Sequence, residues 1–222
     1  MSKNQTKRKV SADTYEQEAW KAGNFVIGID EAGRGCLAGP VVASAVAIIT
    51  PTSAPFLCDS KLLTPAQRAI AYQWLQKNAY YSIGIVPAAQ IDRTNILRAT
   101  KQAMMLALKN LLYQIKSRPA RILIDAVTLP HSFGILQEAH IRGELASISI
   151  AAASIIAKER RDTIMVRQSR YFPGFSFAQH KGYGTTAHYQ ELAKTGGTLI
   201  HRYSFAPLLK KDDHEQQNIL FW

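Results

Sequence analysis

Residues 28–40 read Gly-Ile-Asp-Glu-Ala-Gly-Arg-Gly-Cys-Leu-Ala-Gly-Pro. Two adjacent carboxylates, Asp30 and Glu31, stand where a short apolar run, Phe25-Val26-Ile27, meets a glycine-rich turn. Glycines let a backbone come close to a ligand. Arg34, between Gly33 and Gly35, can offer a planar fork of donors to a phosphate. Acids alone would repel a nucleic acid; beside a turn suited to its backbone they make sense if a divalent cation lies between. Asp125 closes a second apolar run, and Glu144 follows Gly143 just before an alanine-rich stretch. Acids at strand ends in an α/β sheet often line its ligand crevice. Each also has a plainer explanation: a solvated turn for Asp30 and Glu31, a turn acid for Asp125, and a helix start for Glu144, where the macrodipole favours an acid. Mg²⁺ takes oxygen ligands and keeps several waters, and a pair of ions about 4 Å apart can hold the attacking and leaving oxygens of a phosphodiester in line. Three or four carboxylates would support such a pair. No histidine is needed, and the six histidines form no HExxH pattern.

The elements that must position these groups follow from periodicity. Asn24 to Asp30 reads as a strand, and Gly39 to Ile49 as a second, with Val42, Val46 and Ile48 on one face. Thr50 to Pro55 reads as a loop. Thr64-Pro65 is an N-cap followed by proline at the first helical position, and Ala66, Ile70 and Trp74 follow at helical spacing. Tyr80 to Val86 reads as a third strand. Leu97, Thr100, Met104, Leu108, Leu111 and Ile115 mark a helix that Pro119 stops. Arg121 to Ala126 reads as a buried strand carrying Asp125 at its end. Ala146 to Arg170 reads as a long helix, and Thr185 to Lys194 as another, ended by Gly196-Gly197. This order implies an α/β fold, a mixed sheet with helices packed on it. Residues 1–23 are expected to be a tail or weak helix, 24–208 the main domain and 209–222 a C-terminal tail.

Lys and Arg total 27 against 16 Asp and Glu, and the resulting +11 favours a polyanionic partner. Two cysteines, Cys36 and Cys58, form no CxxC pair, which suits a reducing cytoplasm. No run of about 18 apolar residues exists, so no membrane partner is expected. Lys158, Arg160, Arg161, Arg167 and Arg170 could contact phosphates or make an ordinary solvated helix face. Lys61 and Lys181 are further phosphate-contact candidates. Tyr171, Phe172, Phe175 and Phe177 could stack on bases, with core under a loop the favoured reading. A strand followed by Gly33-x-Gly35 also invites a dinucleotide-binding oxidoreductase. Its third glycine is Gly39, giving the wrong spacing, and acids at that strand end would face the pyrophosphate.

The stretch Gly28–Pro40 resembles type 2 ribonucleases H, specifically bacterial ribonuclease HII. Further matches follow in order: Asp59-Ser60-Lys61, Asn95–Thr100, Ile122–Asp125, Ser149–Lys158 with Arg161-Asp162, His180–Thr185 and His201–Pro207. The resemblance spans about residues 24–208. It implies a ribonuclease H-like fold, a mixed five-stranded sheet flanked by helices with a helical C-terminal extension. It implies Mg²⁺ or Mn²⁺ held by Asp30, Glu31, Asp125 and Glu144 as the catalytic set. It implies that Gly33-Arg34-Gly35 reads the ribose 2′-OH and backbone, and that Tyr183 packs on the neighbouring sugar. The implied substrates are RNA–DNA hybrids and duplex DNA with embedded ribonucleotides. Cleavage would fall 5′ to the ribonucleotide, giving 5′-phosphate and 3′-hydroxyl ends, for ribonucleotide removal from DNA. A cytoplasmic monomer is expected. A non-catalytic hybrid-binding protein is the alternative, which the presence of all four acids opposes. Two departures stand out: Arg142-Gly143-Glu144 replaces the family's more usual Lys-Gly-Asp, and Glu159 replaces a usual apolar residue, which suggests a surface change. The tail ends Ile219-Leu220-Phe221-Trp222, an apolar end that could dock on the body or weakly on a partner.

Overall fold

The computed structural model describes residues 13–51, 56, 57, 60 and 63–208. Lys61, Asp59, Cys58 and the tail 209–222 lie outside them. The elements run α1 Thr14–Lys21, β1 Val26–Ala32, β2 Val41–Ala47, α2 Pro65–Asn78, β3 Tyr80–Val86, α3 Ala88–Arg93, α4 Ile96–Ile115, β4 Arg121–Asp125, β5 Gln137–His140, a 3₁₀ turn Gly143–Leu145, α5 Ile148–Gln168, α6 Phe177–His180 and α7 Thr186–Thr195.

The strands form one five-stranded sheet in the order β3-β2-β1-β4-β5. β1, β2 and β3 pair antiparallel, whereas β4 runs parallel to both β1 and β5. Alternation along the strands sends side chains to two faces. Ile27, Ile29, Ala43, Ala45, Ile122 and Ile124 face Met104, Leu108 and Leu111 of α4. Val46 and Ile48 pack with Leu75 of α2 and Ala152, Ala153, Ile155 and Ile156 of α5 on the other. Here α5 lies almost in contact with the β1 backbone: a Cβ at Gly28 would overlap the main chain of Ser149 and Ile150. Gly84 allows the same approach of β3 to the Ala103 carbonyl of α4.

Capping side chains start the helices where the sequence suggests. Thr64 forms a reciprocal capping box with Gln67 ahead of Pro65. Asn95 accepts from the Arg98 amide, Ser147 from Ile150 and Thr185 from His188. The buried stripe of α2 differs from the expected one. It runs through Ala71 and Leu75, while Ile70 is half exposed. Of the aromatic cluster, Phe175 and Phe177 stack at 5.1 Å in a core with Leu37, Met165 and Leu192, but Tyr171 is exposed. Expected as a tail or weak helix, residues 14–21 form α1, packed on the body through Ala19, which joins Val26, Leu123 and Ile150.

Candidate metal and nucleic-acid site

Register brings the carboxylates together. Ile29 of β1 lies beside Ile124 of the parallel β4, so Asp30 and Asp125, one step on, are neighbours at the end of two central strands. Both point away from the α4 side, which Ile29 and Ile124 occupy. Asp30 is only 8% exposed. Burial pushes its carboxyl well above the ordinary range, and the charges of Glu31 and Asp125 push it further. The Glu31 amide donates to Asp30 Oδ1 at 2.7 Å. Glu31 itself meets Arg34 Nη1 at 3.3 Å. Asp125 Oδ1 accepts from the Gly143 amide at 2.9 Å, which hangs the 3₁₀ turn on the acid.

Glu144 follows that amide by one residue and lies half-buried at the same sheet end. Three of the four expected acids therefore converge, and the fourth stands beside them on a turn. Among the described residues no group of three or more His, Cys, Asp or Glu side chains is closed around a point ready to hold an ion. The crowding on Asp30 is nevertheless what a cation would relieve, and an all-oxygen donor set suits Mg²⁺ or Mn²⁺.

Beside the acids runs a groove lined by Glu31, Gly33, Arg34, Gly35, Ser60, Ser154, Lys158 and Tyr183. The β1–β2 loop forms its floor. Tyr183, 37% exposed, packs against two cations, Lys158 Nζ and the Arg161 guanidinium, 5.0 and 5.3 Å from its ring centre. Burial and a hydrogen bond to Cys36 push its hydroxyl up to about 12, so it remains a neutral phenol. The turn carrying Tyr183 is tied to the loop, because the Leu37 amide donates to Gly182 O at 2.8 Å. Gly182 has φ +81°, and a Cβ there would meet Ala38 O at 2.5 Å.

Several expected residues land elsewhere. The Lys181 ammonium donates to the Ala178 carbonyl instead of lining the groove. Arg161 is fully buried and bonded to backbone, so it cannot reach a phosphate. Glu159, expected as a surface change, pairs with Arg68 at 2.5 Å and bridges α5 to α2. Arg68 also donates to the carbonyls of Ser60 and Leu63, and Ser60 Oγ lies 2.7 Å from Ser154 Oγ. Ser60 is thereby tied to α5 through Ser154 and to α2 through Arg68.

Two residues have roles that the sequence does not show. Glu16 of α1 is fully buried, and its Oε1 accepts from Ser147 Oγ at 2.5 Å and from the Ser149 amide at 3.0 Å. It thus adds an acceptor and a negative charge at the start of α5. Arg202, beyond α7, reaches back into the β1–β2 loop. A match to His201–Pro207 marks its neighbourhood, but nothing in the spacing shows what the guanidinium touches.

The dinucleotide alternative fails on topology. The loop after β1 leads straight into the antiparallel β2, so no helix N-terminus follows the glycines to receive a pyrophosphate.

Comparison with known proteins agrees with this geometry. The family model described as Ribonuclease HII matches residues 27–208. A Ribonuclease HII of Syntrophomonas wolfei is 43% identical over 206 residues, covering 92% of this chain and 79% of that protein. Among solved structures, the ribonuclease H2 of Pyrococcus horikoshii superposes with a TM-score of 0.65 at 25% identity, covering 87% of this chain and 100% of that one. Bst-RNase HIII, solved in complex with Mn²⁺, gives a TM-score of 0.65 at 22% identity over 84% of this chain and 68% of its own. The fold is the ribonuclease H-like one, and the chain belongs to the ribonuclease HII family, endoribonucleases that cut the RNA of RNA–DNA hybrids.

Proposed function

We propose that this enzyme hydrolyses the phosphodiester on the 5′ side of a ribonucleotide, in hybrids and at single ribonucleotides embedded in duplex DNA, leaving 3′-hydroxyl and 5′-phosphate ends. The observation that carries this reading is the placement of Asp30 and Asp125 side by side, with Glu31, at one end of a groove floored by Gly33-Arg34-Gly35. Ribonucleotide removal from DNA is the corresponding cellular role.

Asp30, Glu31 and Asp125 would hold a divalent cation, Mg²⁺ or Mn²⁺, and Glu144 would complete the set from the adjoining turn. The Mn²⁺ complex of Bst-RNase HIII, on the same fold, supports that choice of ion. A divalent ion supplies charge for the leaving oxygen and acidity for a water. The chain's own groups do the rest. The N–H groups of Gly33, Arg34, Gly35 and Cys36 meet no acceptor among the described residues. Donors at that floor can reach a 2′-OH, the group that distinguishes RNA from DNA. The Tyr183 ring, steadied by Lys158 and Arg161 and partly exposed in the groove, would pack on the adjoining sugar. Lys158 and Arg34 line the groove where the phosphates would pass.

The test is incision of a DNA duplex carrying one ribonucleotide, with Mg²⁺, with Mn²⁺ or with chelator, alongside Asp125→Asn. Cleavage 5′ to the ribonucleotide, dependent on metal and reduced at least about a hundredfold in the variant, is expected. Incision unaffected by Asp125→Asn would overturn the assignment of the site.

A further inference from the structure

The carbonyls of the β1–β2 loop are held from inside by two arginines. Arg202 donates from Nε to Gly39 O at 3.0 Å, from Nη1 to Arg34 O at 2.7 Å and from Nη2 to Gly33 O at 2.7 Å. Arg161 donates from Nε to Pro40 O and from Nη2 to Ala38 O, both at 3.0 Å. Both side chains are fully buried. Arg161 also fills the space a Cβ at Gly33 would need.

Peptide geometry gives this clamp a direction. In a trans peptide the C=O and the N–H point opposite ways. The carbonyl of Gly33 shares its peptide with the amide of Arg34, and that of Arg34 with the amide of Gly35. A guanidinium drawing those two carbonyls inward turns those two N–H groups outward, towards the groove. The second half of the loop is bonded differently: the amides of Leu37 and Ala38 donate to Gly182 O, and that of Gly39 to Ile200 O. Positive charge on the carbonyl side also polarises each peptide and makes its N–H a stronger donor.

The cost of burying this cation is visible. Burial lowers Arg202 to about 10, and its hydrogen-bond partners are neutral backbone oxygens. A planar fork reaches the three carbonyls from three separate nitrogens, whereas an ammonium would have to reach them all from one.

We propose that Arg202, assisted by Arg161, is the positioning residue that makes the glycine-rich loop discriminate RNA from DNA, by fixing the amides of Arg34 and Gly35 as outward donors. This rests on the loop reading the 2′-OH, as put forward above.

Fluorescence anisotropy with chelator present, on a duplex carrying one ribonucleotide and on its all-DNA counterpart, separates the two ideas. The unsubstituted enzyme is expected to prefer the ribonucleotide duplex by about tenfold, the worth of one or two hydrogen bonds. Arg202→Lys should lose most of that preference while binding the all-DNA duplex within about twofold of the parent, because it keeps the charge but not the fork. No preference in the parent would sink the loop's role as reader and this proposal with it. A preference that survives Arg202→Lys, or an equal loss on both duplexes in folded protein, would overturn this proposal alone. Should Arg202→Lys not fold, Arg161→Lys is read by the same criteria. Amide exchange in the unsubstituted protein needs no variant: the Arg34 and Gly35 amides should be protected by the ribonucleotide duplex and not by the all-DNA one, and equal protection by both would overturn the proposal.

Discussion

At the scale of single residues, a line of hydrogen bonds fixes protons beneath Tyr183. The Thr198 amide donates to His201 Nδ1 at 2.9 Å, which leaves the His201 proton on Nε2. That proton points at His188 Nε2, 3.0 Å away, so the His188 proton lies on Nδ1 and is donated to Tyr183 O at 2.9 Å. Both rings must be neutral for this line to exist. Burial lowers His201 to about 4, helped by the charge of His188, and lowers His188 as well. Because the folded state resists these protons, their contribution to stability is full above the ordinary histidine value and is lost as pH falls from about 6.5 towards 4. Urea unfolding should show the loss, on the order of 2 kcal/mol for His201 across that window. His201→Gln should reduce the dependence between about pH 6.5 and 5, any contribution from the raised Asp30 carboxyl being common to both proteins. A variant that keeps the full slope would assign the effect to other groups.

At the scale of elements, α1 holds the start of α5. Removing the Glu16 carboxylate strands the Ser147 hydroxyl and the Ser149 amide. Glu16→Ala should cost about 2–4 kcal/mol in urea unfolding, whereas Glu16→Gln, which keeps an acceptor, should recover at least about half. Equal losses would show that the charge at the helix start matters more than the bonds. The sequence makes some of this architecture plain and hides the rest for physical reasons. Asp30 and Asp125 are legible because each ends a run of β-branched and apolar residues. α4 is legible because eight of its residues are buried at intervals of three and four. β5, Gln137-Glu138-Ala139-His140, has no apolar alternation, being an edge strand that pairs with β4 through backbone and through the Arg121–Glu138 ion pair at 3.0 Å. α1 is short, and its decisive contact is a polar one across the whole chain. Glu16 and Arg202 escape a sequence reading for the same reason: their partners, a serine hydroxyl and backbone groups, lie more than 130 residues away along the chain and leave no local pattern.

For the whole molecule, the formal charge of +11 should dominate encounter with a polyanion. If three phosphates are neutralised, raising salt from about 50 to 200 mM should weaken hybrid binding roughly 40-fold. A flat salt response would mean that the charge excess lies away from the nucleic acid. The same view gives the Arg202 clamp another meaning. Its carbonyl partners in the loop lie 163, 168 and 169 residues earlier. A chain leaving the ribosome therefore displays Asp30, Glu31 and Asp125 well before the guanidinium that orders the neighbouring loop has been made. If the loop reads the ribose as proposed, the growing polypeptide would have its acids but not its fixed amides until that residue emerges, and the order of synthesis would keep the incomplete nuclease from gripping its substrate.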